Sequence, residues 1–313
     1  MKGQHFYSYQ VEELFERQLH EWSFLKLNYN AIGQIRLKNL EYPDYYLRVQ
    51  FNPARIVSSS AKIDKTTIEN RSCFLCENNR PAEQRYIQFS DDFQILINPF
   101  PIFPNHLTIT ISKHEPQLIK NHFNSLLLLA GALPDYTVFY NGPRCGASAP
   151  DHFHFQAGSK NYMPLDYQID RIKKIFGMKT RSGTIEIWKI NDLLRKFFLL
   201  ESALEKEIET VFYEIYDMLS NLKPMEGEPD VNLHCSFQQD KWRLLIFPRR
   251  VHRPWQYSAE GEDNILFSPA SVDLGGLLVV PLEKDFERMD KVQAWSMLRQ
   301  VCLSTEDFNA ITI

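Results

Sequence analysis

The sequence predicts an α+β protein with an antiparallel sheet and flanking helices. Three observations carry that reading. The runs 93–97 (FQILI), 106–111 (HLTITI) and 136–141 (YTVFYN) are apolar or alternating and have the length of strands. Residues 116–132, between the second and third runs, read as a helix, with Pro116 near the first turn where proline is tolerated. The order strand, strand, helix, strand, loop, strand then closes on His152-Phe-His-Phe-Gln156. In an extended chain this alternation puts His152, His154 and Gln156 on one face and two phenyl rings on the other.

The remaining elements follow in order. Residues 8–22 carry Tyr9, Val11, Leu14, Phe15, Leu19 and Trp22 at helical spacing behind Ser8 as a cap. The segment 45–51 (YYLRVQF) reads as a strand. Between 165 and 180 the chain turns basic and polar (Arg171, Lys173, Lys174, Lys179, Arg181), which marks a boundary between a half at 1–165 and a half at 166–313. Residues 191–221 read as a helix pair, and strands are expected near 231–237, 242–247, 264–267 and 277–281. HLTITISKH at 106–114 and RLLIFPRRVH at 243–252 are both apolar strands running into basic residues and a His, a hint of internal duplication.

Bulk properties narrow the function classes. The chain has 313 residues, 44% of them hydrophobic and 24% charged, and can bury a sizeable core. A formal charge of −4 provides no global basic field, so no nucleic-acid partner is expected and phosphate must be bound by local residues. No apolar leader opens the chain and no run approaches the length of a membrane span, LLLLAGAL at 126–133 being too short. With five cysteines and no disulfide scaffold, the expected location is the cytoplasm.

Cys73-Phe-Leu-Cys76 has the gap that lets two thiolates reach one metal. His114 and His152, at the ends of two strands, would complete a Cys2His2 site. A metal-free cysteine pair and a redox pair are the alternatives, the latter disfavoured because no helix clearly opens at Cys73. His154 is the candidate nucleophile, since a neutral imidazole can form a labile bond to phosphorus. Gln156 would donate from its amide to a phosphoryl oxygen. The loop from Asn141 to Ser148 mixes small residues with Arg144 and a hydroxyl, and can bring backbone N–H groups to phosphate. Arg55 and Lys62 add positive charge, Arg as a bidentate grip. The cluster Arg249, Arg250, His252 and Arg253 beside Trp255 either faces a sugar phosphate or ends a strand in solvent.

The pieces CFLC, PNHLTITISKH and GASAPDHFHFQ resemble the transferase branch of the histidine-triad superfamily, well over 45–160 and more faintly over 230–285. That branch includes galactose-1-phosphate uridylyltransferases, dinucleoside polyphosphate phosphorylases and GDP-hexose phosphorylases. The resemblance implies a HIT-like fold of two related halves and a structural zinc on Cys73, Cys76, His114 and His152. It further implies a covalent nucleotidyl-His154, with Gln156, Asn141 and Ser148 at the phosphates. Substrates would be a nucleotide sugar or dinucleotide, with phosphate or a sugar phosphate as acceptor. Either a phosphorylase or a uridylyltransferase fits, or a non-catalytic nucleotide-binding protein on the same scaffold, and a homodimer is compatible. WRLLIFPRR and FSPASVDLGGLLVVPLEKDFE are more similar to the GDP-hexose phosphorylases. Phe153 in place of the uridylyltransferases' Pro, and the extra Asp151, depart from the pattern.

Overall fold

A computed structural model describes residues 6–56, 65–222, 224 and 227–313, so Lys62 lies outside the described residues. Thirteen strands are described: β1 (Arg36–Glu41), β2 (Tyr46–Phe51), β3 (Tyr86–Phe89), β4 (Phe93–Ile97), β5 (His106–Ile111), β6 (Tyr136–Asn141), β7 (His154–Ser159), β8 (Gly177–Arg181), β9 (Ile185–Asn191), β10 (Lys196–Ser202), β11 (Val231–Gln238), β12 (Lys241–Pro248) and β13 (Leu277–Val280). Ten of them form one sheet in the order β3-β4-β5-β7-β6-β11-β12-β10-β9-β8, antiparallel at every step. β1, β2 and β13 make a smaller sheet in which β2 and β13 run parallel.

The large sheet contains one connectivity twice. Three successive strands, a helix and two more strands, the last inserted between the third and fourth, describe both β3–β7 and β8–β12. The inner helices are Phe123–Ala132 and Glu205–Leu222. They meet where the rings of Phe123 and Phe212 stack 3.6 Å apart. β6 and β11 form the seam, with Asn141 opposite Asn232. The connectivity aligns β12 with β7 and β10 with β5. The likeness of 106–114 to 243–252 had instead matched β5 with β12, a register that a shared apolar pattern cannot distinguish.

Both faces of the sheet are covered. Phe153, Phe155, Val138, Tyr140, Leu233 and Leu244 point to the face under the two inner helices. Phe197, Leu199, Leu245 and Phe247 point to the other, under helices Pro164–Phe176 and Lys291–Val301. Phe153 and Phe155 are completely buried, as the alternation of the motif required, each worth about 2–3 kcal/mol in water-exclusion terms.

Two-sided burial also explains where the sequence misled. KFFLLES is apolar on both faces, so its period does not separate strand from helix; 191–221 holds strand β10 and one helix, not two helices. The basic stretch at 165–180 falls on helix Pro164–Phe176, whose Leu165, Ile169 and Ile172 are buried, and on β8, and it lies between the two copies of the connectivity. No strand forms at 264–267, where Ile265 and Phe267 are buried from irregular backbone held by the Ile265 N–H on the Gln256 carbonyl. The helix expected at 116–132 begins at Phe123, after a 3-10 turn at Ile119–Asn121. β1, β3, β8, β9 and the helices Ser23–Ile32, Pro164–Phe176 and Lys291–Val301 were among the elements not anticipated.

Candidate functional site

Cys73, Cys76, His114 and His152 converge on one point, their ligand atoms all within 4.8 Å of one another. Cys73 Sγ lies 3.3 Å from His152 Nδ1, and Cys76 Sγ 3.3 Å from His114 Nδ1 and 3.5 Å from His152 Nδ1. The two Nδ1 atoms are 3.3 Å apart. A tetrahedron built on Zn–N of about 2.0–2.1 Å and Zn–S of about 2.3 Å has edges of roughly 3.3–3.8 Å. These separations therefore suit a shared cation. His152 Nε2 is held by the Ile111 carbonyl at 2.8 Å, which leaves Nδ1 as the lone-pair nitrogen. Burial and the neighbouring Cys73 raise the Cys76 thiol pKa to about 11, so that thiol is hard to ionise without a cation. The four residues could hold a metal ion. Asp151, the extra residue, pairs with Arg71 and lies 4.0 Å from His114 Nε2.

His152 belongs to the turn before the motif strand; the ladder of β7 begins at His154, opposite Thr110. β6 pairs with β7 only as far as Phe139 opposite Gln156, so the His154 backbone is left without a strand on that side. The side chain of Gln117 substitutes for one. Its Oε1 accepts from the His154 N–H at 2.8 Å, and its Nε2 donates to the carbonyls of His154 at 2.8 Å and Asn141 at 3.0 Å. The His154 ring is 4% exposed, and burial lowers its pKa to about 4. Its Nδ1 lies 2.8 Å from the His152 carbonyl and must carry the proton that this contact requires. Nε2 is then the lone-pair nitrogen, and no described residue bonds it.

Two residues along the same face, Gln156 lines an open cavity of about 70 Å³. Arg55, Asn141, Ser148, Gly146 and Ala147 line it too, so the structure brings three of the expected substrate residues together with Gln156, while His154 is not among the lining residues. Gly146 adopts φ +98°, and a Cβ there would meet the Ala270 Cβ at 2.5 Å, so the loop can approach the second half only with glycine. Arg144 is not among the lining residues; it bonds Asp230 at 2.8 Å and the Glu228 carbonyl at 2.6 Å. Lys62 lies outside the described residues.

The opposite wall comes from the second half: His252, Arg253, Ser268, Ala270, Val272, Asp273 and Val279. Of the basic cluster, Arg249 is 2% exposed and spent on structure, donating to Asn232 Oδ1 at 2.6 Å and to the Pro269 carbonyl at 3.0 Å. Arg253 bonds Ser268 Oγ at 3.0 Å and lies over the Tyr257 ring. Asp273 is buried, its pKa raised by that burial to about 7, and it accepts from the Ala270 and Val279 N–H groups. Gln117, Ser268 and Asp273 escaped sequence reasoning because only distant pairing gives them their place.

Two family models match the chain: "Domain of unknown function (DUF4922)" over residues 14–159, and "GDPGP1-like, C-terminal domain" over 167–313. GDP-L-galactose phosphorylase 2 of Arabidopsis thaliana is 23% identical over 227 residues, covering 69% of this chain and 49% of the relative. The chain thus spans about half the length of that curated relative. Yeast Ap4A phosphorylase in complex with AMP shares the fold, with a TM-score of 0.57 at 16% identity over 90% of this chain and 96% of that one. The same enzyme in complex with Ap4A also gives 0.57, at 17% identity over 90% and 97%. These likenesses all fit the transferase branch of the histidine-triad superfamily. Its HIT-like fold accounts for the position of the His154–Gln156 strand between β5 and β6. No helix among the described residues is long and apolar enough to cross a membrane.

Proposed function

We propose that this protein is a nucleotidyltransferase of the phosphorylase type, acting on a nucleoside diphosphate sugar through a nucleotidyl-His154 intermediate. One observation carries the reading: a buried, neutral imidazole presents Nε2, and a carboxamide on the same strand face lines the adjoining cavity. In the first step His154 Nε2 attacks the α-phosphorus, and the bond to the hexose 1-phosphate oxygen breaks. In the second, inorganic phosphate attacks the same phosphorus, the P–N bond breaks, and a nucleoside diphosphate leaves. Gln156 and Asn141 donate to the non-bridging oxygens, Ser148 and Arg55 hold the flanking phosphate, and Arg253 faces the sugar phosphate. Lys62 and Arg144 belong to the same proposal as further basic groups. Residues 1–165 supply the chemistry and 166–313 complete the cleft. Five free cysteines support a reducing, cytoplasmic setting.

A hexose 1-phosphate acceptor would make the enzyme a uridylyltransferase, and a dinucleotide donor is the other reading within this chemistry. The GDP-L-galactose phosphorylase relative favours the phosphorylase. Incubation with labelled GDP-glucose, UDP-glucose or diadenosine tetraphosphate, without acceptor, tests it. Acid-labile, base-stable label on the protein is expected, and the donor that labels identifies the base. A protein that binds these donors and never takes up label is a binding module.

The Cys2His2 group would hold one zinc per chain. Four protein ligands leave no open position for water, so the ion would brace the turn at 73–76 against the segment after β5 that bears His114 and the turn before β7 that bears His152. Metal analysis is expected to give one zinc, and chelation to lower the thermal midpoint. Absence of metal from protein purified without chelator would remove the zinc from this reading.

A further inference from the structure

Behind Gln156, away from the cavity, lies His106, completely buried at the start of β5. Its polarity is set by the backbone. The Ile102 N–H can only donate, and it donates to His106 Nδ1 at 3.2 Å. Nδ1 is therefore unprotonated, and in a neutral ring the proton sits on Nε2. Burial keeps this ring neutral at any working pH, lowering its pKa to about 3. His106 Nε2 lies 2.9 Å from Gln156 Oε1. A ring N–H there requires the carbonyl end of the Gln156 amide, which turns the NH2 end toward the cavity.

The surroundings lock the ring in place. His106 pairs with Gly158 across the β5–β7 ladder. A Cβ at Gly158 would lie 2.6 Å from the Phe103 ring, so that ring fills the space the missing side chain leaves. Phe103 then packs edge-on against His106, centroids 5.1 Å apart. Asn141 shows the same arrangement. Its Oδ1 accepts from Asn232 Nδ2 and from the Ser271 N–H, both at 2.9 Å, leaving its NH2 for the cavity. An amide free to rotate would present either end to a phosphoryl oxygen, and the carbonyl end would repel it.

We propose that His106 is a positioning residue: through its Nε2–H it fixes the Gln156 amide with the donor end toward the reacting phosphoryl group. This rests on the role of Gln156 proposed above. Gln156→Ala is expected to lose about a hundredfold in kcat, the scale of one oxyanion donor. His106→Leu, which keeps bulk and removes the donor, should lose about ten- to a hundredfold in kcat, with KM nearly unchanged. The double variant should be no slower than Gln156→Ala alone, because an absent amide cannot be misaligned. His106→Gln, whose carboxamide again offers a donor, should regain most of the rate. Losses that multiply in the double variant, or a wild-type rate in His106→Leu beside a slow Gln156→Ala, overturn the positioning role. A wild-type rate in Gln156→Ala instead removes the role of Gln156, and this inference with it. Long-range nitrogen-15 correlation spectra of the wild-type protein read the ring without any substitution. The Nε2–H tautomer is expected, and an Nδ1–H tautomer overturns the proposal even where His106→Leu fails to fold.

Discussion

His154→Ala is expected to turn over no nucleotide sugar at a measurable rate while remaining folded. The ring contributes one hydrogen bond to the fold, from Nδ1 to the His152 carbonyl, and its strand is held independently by Gln117 and by the β5 ladder. Removing that bond costs about 1 kcal/mol, which leaves the native state populated. The chemical loss is of another order. Without Nε2 the acceptor must attack the donor directly, in a cavity arranged for two successive displacements. Removal of a covalent nucleophile costs about ten-thousand-fold or more, the remainder coming from binding and oxyanion contacts. The check has two arms, single-turnover rate and retention of label, both compared with His154→Asn. A variant that folds, keeps a near-normal rate and takes up no label would show that transfer does not pass through this residue.

The second large effect is expected from cutting the chain. A fragment of residues 1–165 keeps the Cys2His2 group, His154 and Gln156, yet should show no activity. It loses the cavity wall of His252, Arg253, Ser268, Ala270, Val272, Asp273 and Val279. It also loses β11 as the partner of β6, and the helix Glu205–Leu222 that covers Phe123. Re-exposing several wholly buried side chains at about 2 kcal/mol each exceeds the stability of an ordinary domain. Poor solubility should accompany the lost activity, through the bared apolar face and strand edge. Activity and light scattering of the fragment, alone and mixed with 166–313, test this. A fragment as active as the whole chain would mean that the second half plays no part in catalysis.

What could be read from the sequence follows a physical line. The motif strand was legible because its alternation is local: two phenyl rings need a core and two imidazoles do not. The Cys2His2 set was legible from the two-residue gap between its cysteines and from two histidines expected at strand ends, and the structure does bring those four together. Their roles in catalysis remain proposals. His106, Gln117 and Asn232 were not legible. Each is an ordinary polar residue until a partner 50, 37 or 91 positions away gives it one. Strand β10 failed for the opposite reason, since burial on both faces erases the period that marks a strand. The basic run at 249–253 shows that charge alone does not predict exposure, because Arg249 is buried among carbonyls while Arg253 reaches the cavity.

The seam between the halves has a mechanical consequence. The second-half wall does not hang on a linker: the Ser271 N–H bonds Asn141 Oδ1, its hydroxyl donates to the Tyr140 carbonyl at 2.7 Å, and His234 holds its carbonyl at 2.8 Å. Alongside, β6 and β11 share four residue pairs within one unbroken sheet. A jaw-like opening of the cavity would tear buried hydrogen bonds on both sides of its floor at once. The dipoles facing the substrate are therefore set before it arrives and need no reorganisation as charge moves. Donor and product are expected to exchange without the two halves moving apart, so crystals of the protein should accept both by soaking without cracking.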